Sequence, residues 1–324
     1  MCIVLGFNAS GRGSREKPES YTLRARRGSV QKTVLITGCS SGIGRATARA
    51  FNDEGWTVYA TARNPADAQT LGDEGCELAT LDVTDQDDVD RVVNRILDEE
   101  GAIDCLVNNA GYGQFGPLED VPTEKVHEQF DVNVYGPHRL VRAVLPHMRR
   151  EREGTIVNLS SVAGRVAFPG SGVYSGSKFA VEAMSDALRG EVSEYGIDVV
   201  VVEPGPVKTG FSERAEREAA ADADGASGEG DGAGGGDGAG EGIDRSGAYE
   251  DFYRVFDDAK LIGGDGPGAV EPERVAAEIL NAASATRPPA RVQPGTVARV
   301  GVLTRFLPDA VRDKGYELIA KLTR

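Results

Sequence analysis

Residues 33–44 read Thr-Val-Leu-Ile-Thr-Gly-Cys-Ser-Ser-Gly-Ile-Gly, a short β-branched run that passes directly into a glycine-rich turn. A stretch with helical periodicity, Arg45 to Phe51, follows at once. Strand, turn and helix in that order predict a cradle for phosphate. Gly38 allows the tight turn, Gly42 lets backbone N–H groups approach a pyrophosphate, and Gly44 permits close packing of the helix on the strand. Ser40, Ser41 and Ile43 belong to the same turn and share the predicted contact with the ligand. The Lys-Ser/Thr of a nucleotide-triphosphatase loop is missing, because Arg45-Ala46 follows the last glycine. The spacing is GxxxGxG rather than GxGxxG, so the dinucleotide fingerprint is met in function and not in letter.

Outward from this motif, short apolar runs alternate with amphipathic stretches. After 33–36 come Thr57–Ala60, Glu77–Ala79, Ile103–Val107, Thr155–Leu159 and Asp198–Val202. Six strands separated by helical periodicity predict an α/β fold, a doubly wound parallel sheet of Rossmann type. Continuous runs such as Val199–Val202 suit strands covered on both faces. Such sheets bind ligands at their carboxyl edge. In NAD-binding sheets an acid at the end of the second strand grips the ribose 2′-hydroxyl. Here that place reads Thr61-Ala62-Arg63-Asn64, with no acid, and the planar fork of Arg63 can pair with a 2′-phosphate instead. NADP is therefore expected as cofactor ahead of NAD.

The chain has 324 residues, with 36 Lys and Arg against 51 Asp and Glu and a net charge of −15. That acidity opposes phosphate-backbone binding and anionic membrane surfaces, so neither nucleic acid nor membrane is an expected partner. No apolar run approaches the ~18 residues of a bilayer span. The four cysteines form no CxxC pair and no zinc spacing, and the opening residues contain no signal-peptide core. A cytoplasmic protein with reduced thiols is expected. Residues 1–30 carry six basic side chains without periodicity and read as a disordered basic arm. Residues 31–324 read as one Rossmann-type domain interrupted at 216–244, where ten glycines and nine acids predict a low-complexity acidic insert.

A second chemical motif is Tyr174-Ser175-Gly176-Ser177-Lys178, opening a helical stretch through Leu188. At i and i+4 the ammonium and the phenol share a face, an arrangement that lowers a phenol pKa towards the range useful for proton transfer. Ser160-Ser161 ends the fifth strand at the carboxyl edge, and the thirteen-residue spacing to Tyr174 favours Ser161 as partner.

Together these parts resemble the classical short-chain dehydrogenase/reductase family. The resemblance rests on TGCSSGIG (37–44), Asp82-Val83, NNAG (108–111), Asn133 in FDVNVYG, Ser161, YSGSK (174–178) and PGPVKT (204–209). Wording such as VYATAR, GPLE and SKFAVE is similar to the hydroxysteroid and retinol dehydrogenase branch. The resemblance implies that Tyr174 is the general acid/base and that Ser161 holds the reacting oxygen. It implies further that Lys178 lowers the tyrosine pKa and holds the nicotinamide ribose, and that Asn133 maintains a helix kink and a proton relay. Asp82 and Val83 are implied beside adenine, Asn108 at the sheet and cofactor, and Val207 and Thr209 at the nicotinamide amide, with no metal. The implied substrate is an alcohol or ketone with an apolar body, and the implied assembly a homodimer or homotetramer. Two alternatives use the same residues differently: a 3-oxoacyl-thioester reductase and a non-catalytic NADP-sensing regulator.

Three further expectations are testable by structure. His127, His138 and His147 lie in a helical stretch over about 123–150, too far apart for one metal ion, and are read as surface residues. The insert falls where the family places a lid over substrate, and Phe211, Tyr249, Phe252, Tyr253 and Phe256 are candidates for the pocket wall. The chain's end reads as a helix over 272–283, a short strand at Arg291-Val292 and a final amphipathic region.

Overall fold

The computed structural model describes residues 31–209, 246–250, 253 and 268–322, with side chains to 316. The basic arm at 1–30, the acidic insert at 216–244, Phe211, Phe252 and Phe256 lie outside the described residues.

Seven parallel strands form one sheet in the order β3-β2-β1-β4-β5-β6-β7. They are β1 (Thr33–Ile36), β2 (Thr57–Ala62), β3 (Glu77–Thr80), β4 (Cys105–Asn108), β5 (Gly154–Leu159), β6 (Ile197–Val202) and β7 (Arg291–Val292). The order reverses between β1 and β4, the switch point at which a doubly wound sheet opens a crevice. Strands β1 to β6 supply both faces. On β1, Val34 and Ile36 enter one apolar layer and Leu35 the other, and on β5 Val157 and Ile156 divide the same way. This double coverage is why the strands read as unbroken apolar runs.

On one face lie α1 (Gly42–Asp53) and α7 (Pro272–Ser284), contributing Phe51, Val275 and Ile279. On the other, α3 (Gln86–Glu100) buries Val89, Val92, Val93 and Ile96, a stripe at helical spacing worth roughly 1.5–3 kcal/mol per side chain. Its start is held by Asp85, whose carboxylate accepts from the Asp87 and Asp88 N–H groups, and its end by Gly101 at φ 76°. The short α2 (Gln69–Asp73) precedes β3.

The stretch over 123–150 is helical throughout but not uniform. It comprises α4 (Thr123–Phe130), a π-helical turn (Asp131–Tyr135) and α5 (Gly136–Glu151). The widened turn coincides with Asn133 and hands over to Gly136, where any Cβ would meet Val83 Cγ2 at 2.8 Å. His127 and His138 are exposed, whereas His147 is 5 % exposed, because α5 turns it inward beside the Arg150 guanidinium at 2.6 Å. The surface reading of His147 is thereby corrected.

Then come α6 (Gly172–Val192), α8 (Thr296–Leu303) and α9 (Asp309–Leu322). Among the described residues no helix is long and apolar enough to cross a membrane, and no group of side chains could hold a metal ion.

Candidate active site

The carboxyl ends of β1, β4, β5 and β6 open into a cleft of about 960 Å³. Its floor at β1 is the glycine turn. Gly38 (φ 73°) and Gly42 (φ 54°) adopt the left-handed backbone that a side chain would strain, and a Cβ on Gly44 would meet the Gly38 carbonyl oxygen at 2.3 Å. Gly44 therefore does not line the cleft; it lets α1 start directly against the turn, with its first N–H groups free for an anion.

The turn is braced from β4. Asn109 Nδ2 donates to the carbonyls of Thr37 (2.8 Å) and Gly38 (3.1 Å), and Thr37 Oγ1 accepts from the Asn109 and Ala110 N–H groups, both at 3.0 Å. Asn108, expected at the cofactor, is 3 % exposed, and its amide donates to Asn158 Oδ1 at 2.8 Å. The alternation of β4 turns Asn108 into the sheet and leaves Asn109, Ala110 and Gly111 on the cleft. The NNAG motif signalled the segment but not which asparagine faces the ligand.

Ser40, Ser41, Ile43, Arg63, Asp82, Val83, Val207 and Thr209 all border the cleft. Thr209 closes over the turn, its Cγ2 3.0 Å from where a Gly42 Cβ would stand. Asp82 is held by its own loop, Oδ1 accepting from Thr84 N–H (2.9 Å) and Oγ1–H (2.7 Å). Arg63 is exposed at the end of β2 and makes no hydrogen bond or ion pair with any described residue. The set fits a nicotinamide dinucleotide: glycines at which a Cβ would collide, a cleft of about 960 Å³ that Arg63 and Asp82 share with Tyr174 and Val207, and a guanidinium with no partner among the described residues.

At the other end, β5 and α6 converge. Tyr174 lies in the first turn of α6 with Phe115 packed at 5.3 Å between ring centroids. Lys178, one turn on, is 6 % exposed and donates from Nζ to the Leu159 carbonyl oxygen at 2.8 Å, 5.8 Å from the Tyr174 ring centroid. Ser161 stands beside Tyr174, and its hydroxyl favours the ionised phenol. Ser160 also borders the cleft but is 5 % exposed, with its hydroxyl against Gly164.

Asn133 does not line the cleft. Its side chain clamps the Tyr112 backbone, Oδ1 accepting from N–H (3.1 Å) and Nδ2 donating to C=O (2.9 Å), and Nδ2 also reaches Ser177 Oγ at 3.1 Å. It thus ties the segment after β4 to the turn of α6 that carries Tyr174 and Lys178. Burial pushes Tyr174 up to about 12, with Ser161 partly opposing. Burial pulls Lys178 down to about 8, with Glu182 opposing. A tyrosine lowered by the lysine is therefore not what the protein alone displays: desolvation outweighs the Ser161 hydrogen bond and leaves a protonated phenol, an acid ready to donate. The aromatic wall also differs. Tyr249 and Tyr253 do not line the cleft, because their hydroxyls donate to Glu119 Oε2 and Asp120 Oδ2, both at 2.7 Å.

Comparison with known proteins agrees with this geometry. The model of the short chain dehydrogenase family matches residues 32–220, and the chain belongs to that family of oxidoreductases. It is 42% identical over 180 residues to 3-ketodihydrosphingosine reductase of Bacteroides thetaiotaomicron, covering 56% of this chain and 65% of that protein. It is 37% identical over 192 residues to NADPH-dependent 3-dehydrocapnine reductase of Ornithobacterium rhinotracheale, covering 56% and 68%. A crystal structure of a short-chain dehydrogenase from Streptomyces avermitilis superposes with a TM-score of 0.71 at 33% identity, covering 92% of this chain and all of that one.

Proposed function

We propose that the protein is an NADP-dependent oxidoreductase that interconverts a secondary alcohol and a ketone on an apolar substrate. The observation that carries the cofactor assignment is Arg63, an unpartnered guanidinium on the cleft at the end of β2 where an NAD-selective site places a carboxylate. The bound dinucleotide supplies or accepts the hydride; the protein supplies position and electrostatics. In the reducing direction Tyr174 donates its hydroxyl proton to the carbonyl oxygen as hydride reaches the carbonyl carbon. Ser161 donates to the same oxygen as its charge develops, and Lys178 stabilises the phenolate left behind. The proton returns to Tyr174 from solvent. The oxidising direction reverses each step.

Phe115, Val162, Phe168 and Val297 surround the substrate end of the cleft, which supports an apolar body. Two relatives are named as reductases of keto or dehydro compounds, which supports a ketone. A 3-oxoacyl-thioester reductase would favour a basic entrance, but Lys125 is accompanied there by Glu128 and Asp131. The placement of Tyr174, Ser161 and Lys178 on one cleft argues against a sensor without turnover. Residues 31–324 are read as one domain, acting in the cytoplasm as a homodimer or homotetramer. Exposed Tyr135, Phe179 and Met184 on the helical layer offer an apolar surface for that assembly.

Fluorescence titration with NADPH and NADH, on the wild type and Arg63→Ala, tests the reading. NADPH is expected to bind more tightly, and the substitution to weaken NADPH alone by about tenfold or more. Equal affinities that ignore the substitution would overturn NADP preference, and binding of neither would overturn the enzyme.

A further inference from the structure

The reaction above leaves Gln114, a polar residue of the cleft, without a task. It lies in the segment between β4 and α4 and lines the substrate end beside Phe115, whose ring packs on that of Tyr174 at 5.3 Å. The residue is 4 % exposed, and its side-chain amide makes no hydrogen bond with any described residue. Neither amide atom is sealed from solvent, so the small surface that Gln114 keeps includes the amide, on the cleft.

The backbone that carries Gln114 is fixed on both sides. Gln129 of α4, fully buried, accepts from the Gln114 N–H through Oε1 at 2.8 Å and donates from Nε2 to the Tyr112 carbonyl. Asn133 clamps Tyr112 from the π-helical turn. Beyond Phe115, the Gly116 N–H donates to the Gly170 carbonyl at 2.8 Å, which ties the segment to the loop carrying Phe168. Gln129 and Asn133 spend their amides on holding this backbone. The amide of Gln114 takes no part in that network, and the network holds it in place for a ligand.

Its surroundings are apolar, with Phe115, Val162 and Phe168 lining the same end. A polar group in such a place is costly unless hydrogen-bonded. Solvent can satisfy the amide while the cleft is open, but an apolar substrate displaces solvent. The amide is then paired by the substrate or stranded. An amide both donates and accepts, and the neutral group that matches it in both senses is a hydroxyl.

We propose that Gln114 is a specificity-determining residue whose amide recognises a hydroxyl a few atoms from the reacting carbonyl, so that the substrate is a hydroxy ketone with an apolar body. The proposal rests on the reading of the cleft as a ketone-reducing site. Its distance along the substrate follows from the chain: Gln114 adjoins Phe115, and Phe115 packs on the tyrosine that protonates the carbonyl.

Steady-state reduction with NADPH of octan-2-one and of its 1-hydroxy and 4-hydroxy derivatives tests this on the full chain, in the wild type, Gln114→Met and Gln114→Leu. Both substitutions keep much of the bulk and remove the amide. In the wild type one of the hydroxy ketones is expected to show a KM about tenfold or more below that of octan-2-one. In each variant the ratio of its kcat/KM to that of octan-2-one should fall by about tenfold, through KM rather than kcat. A merely structural role would depress all three ketones together and leave the ratio where it was.

An unmoved ratio in a folded variant overturns the proposal. So does a wild type in which neither hydroxy ketone has a lower KM than octan-2-one, a comparison that decides even if neither variant folds. Turnover of none of the three ketones by protein that binds NADPH would instead count against the proposed function, and the inference would fall with it; turnover at an unmoved ratio counts against the inference alone.

Discussion

Tyr174 and Lys178 stand four residues apart on one helix, yet burial drives their proton affinities in opposite senses. The neutral form is favoured for each: protonated phenol, deprotonated amine. For Lys178 the consequence reaches stability. Its folded-state value of about 8 lies below the ordinary 10.5, so the native protein holds this proton less tightly than the unfolded chain does. The ammonium is therefore a cost of about 3 kcal/mol below pH 8, relieved as pH rises from 8 towards 10.5. Lys178→Met removes that cost and one hydrogen bond to the Leu159 carbonyl, which is worth about 1 kcal/mol. The variant is expected to lose turnover yet melt a few degrees above the wild type at pH 7. Its advantage should shrink by pH 10. Calorimetry at the two pH values checks this; a variant less stable at pH 7 would show that the carbonyl contact outweighs desolvation.

Among elements, the junction of β1 with α1 is the most constrained. A methyl on Gly44 would meet a backbone oxygen at 2.3 Å and the Asn109 side-chain amide at 2.5 Å, the latter pinned by its bonds to the Thr37 and Gly38 carbonyls. Gly44→Ala should cost on the order of 2 kcal/mol and weaken dinucleotide binding at least tenfold, as α1 moves off the turn and its N–H groups lose their aim. Denaturant melts and NADPH titration measure the two effects, and wild-type affinity in this variant would refute the packing role. This junction was legible in sequence because glycine at fixed offsets leaves a literal trace, as did the apolar strands. The π-helical turn left none. Asn133 could be placed by resemblance, but that its amide would clamp Tyr112 depended on a widening no residue pattern announces. Asn108 and Asn109 show the same limit, since adjacent identical residues differ only in which way the strand turns them.

At the scale of the molecule, what escaped sequence reading is what distance in the chain conceals. Glu182 meets Arg291 across 109 residues, and neither is unusual among the 27% charged residues. Charge summed over the chain, by contrast, is visible at once, and it opposes the proposed ligand. A protein at −15 repels an anionic dinucleotide at long range, while Arg63 and the α1 N-terminus attract it only at contact. The two effects separate by ionic strength. The Debye length falls from about 30 Å at 0.01 M to about 8 Å at 0.15 M, which screens the distant carboxylates well before it weakens a bidentate contact. Stopped-flow association of NADPH should therefore quicken several-fold over that interval and then level. Dissociation should change less, and Arg63→Ala should alter dissociation while keeping the same upward salt trend. Association that slows with salt would mean that the cleft's own positive potential reaches past the acidic surface, and that the guanidinium at β2 captures the ligand as well as holding it.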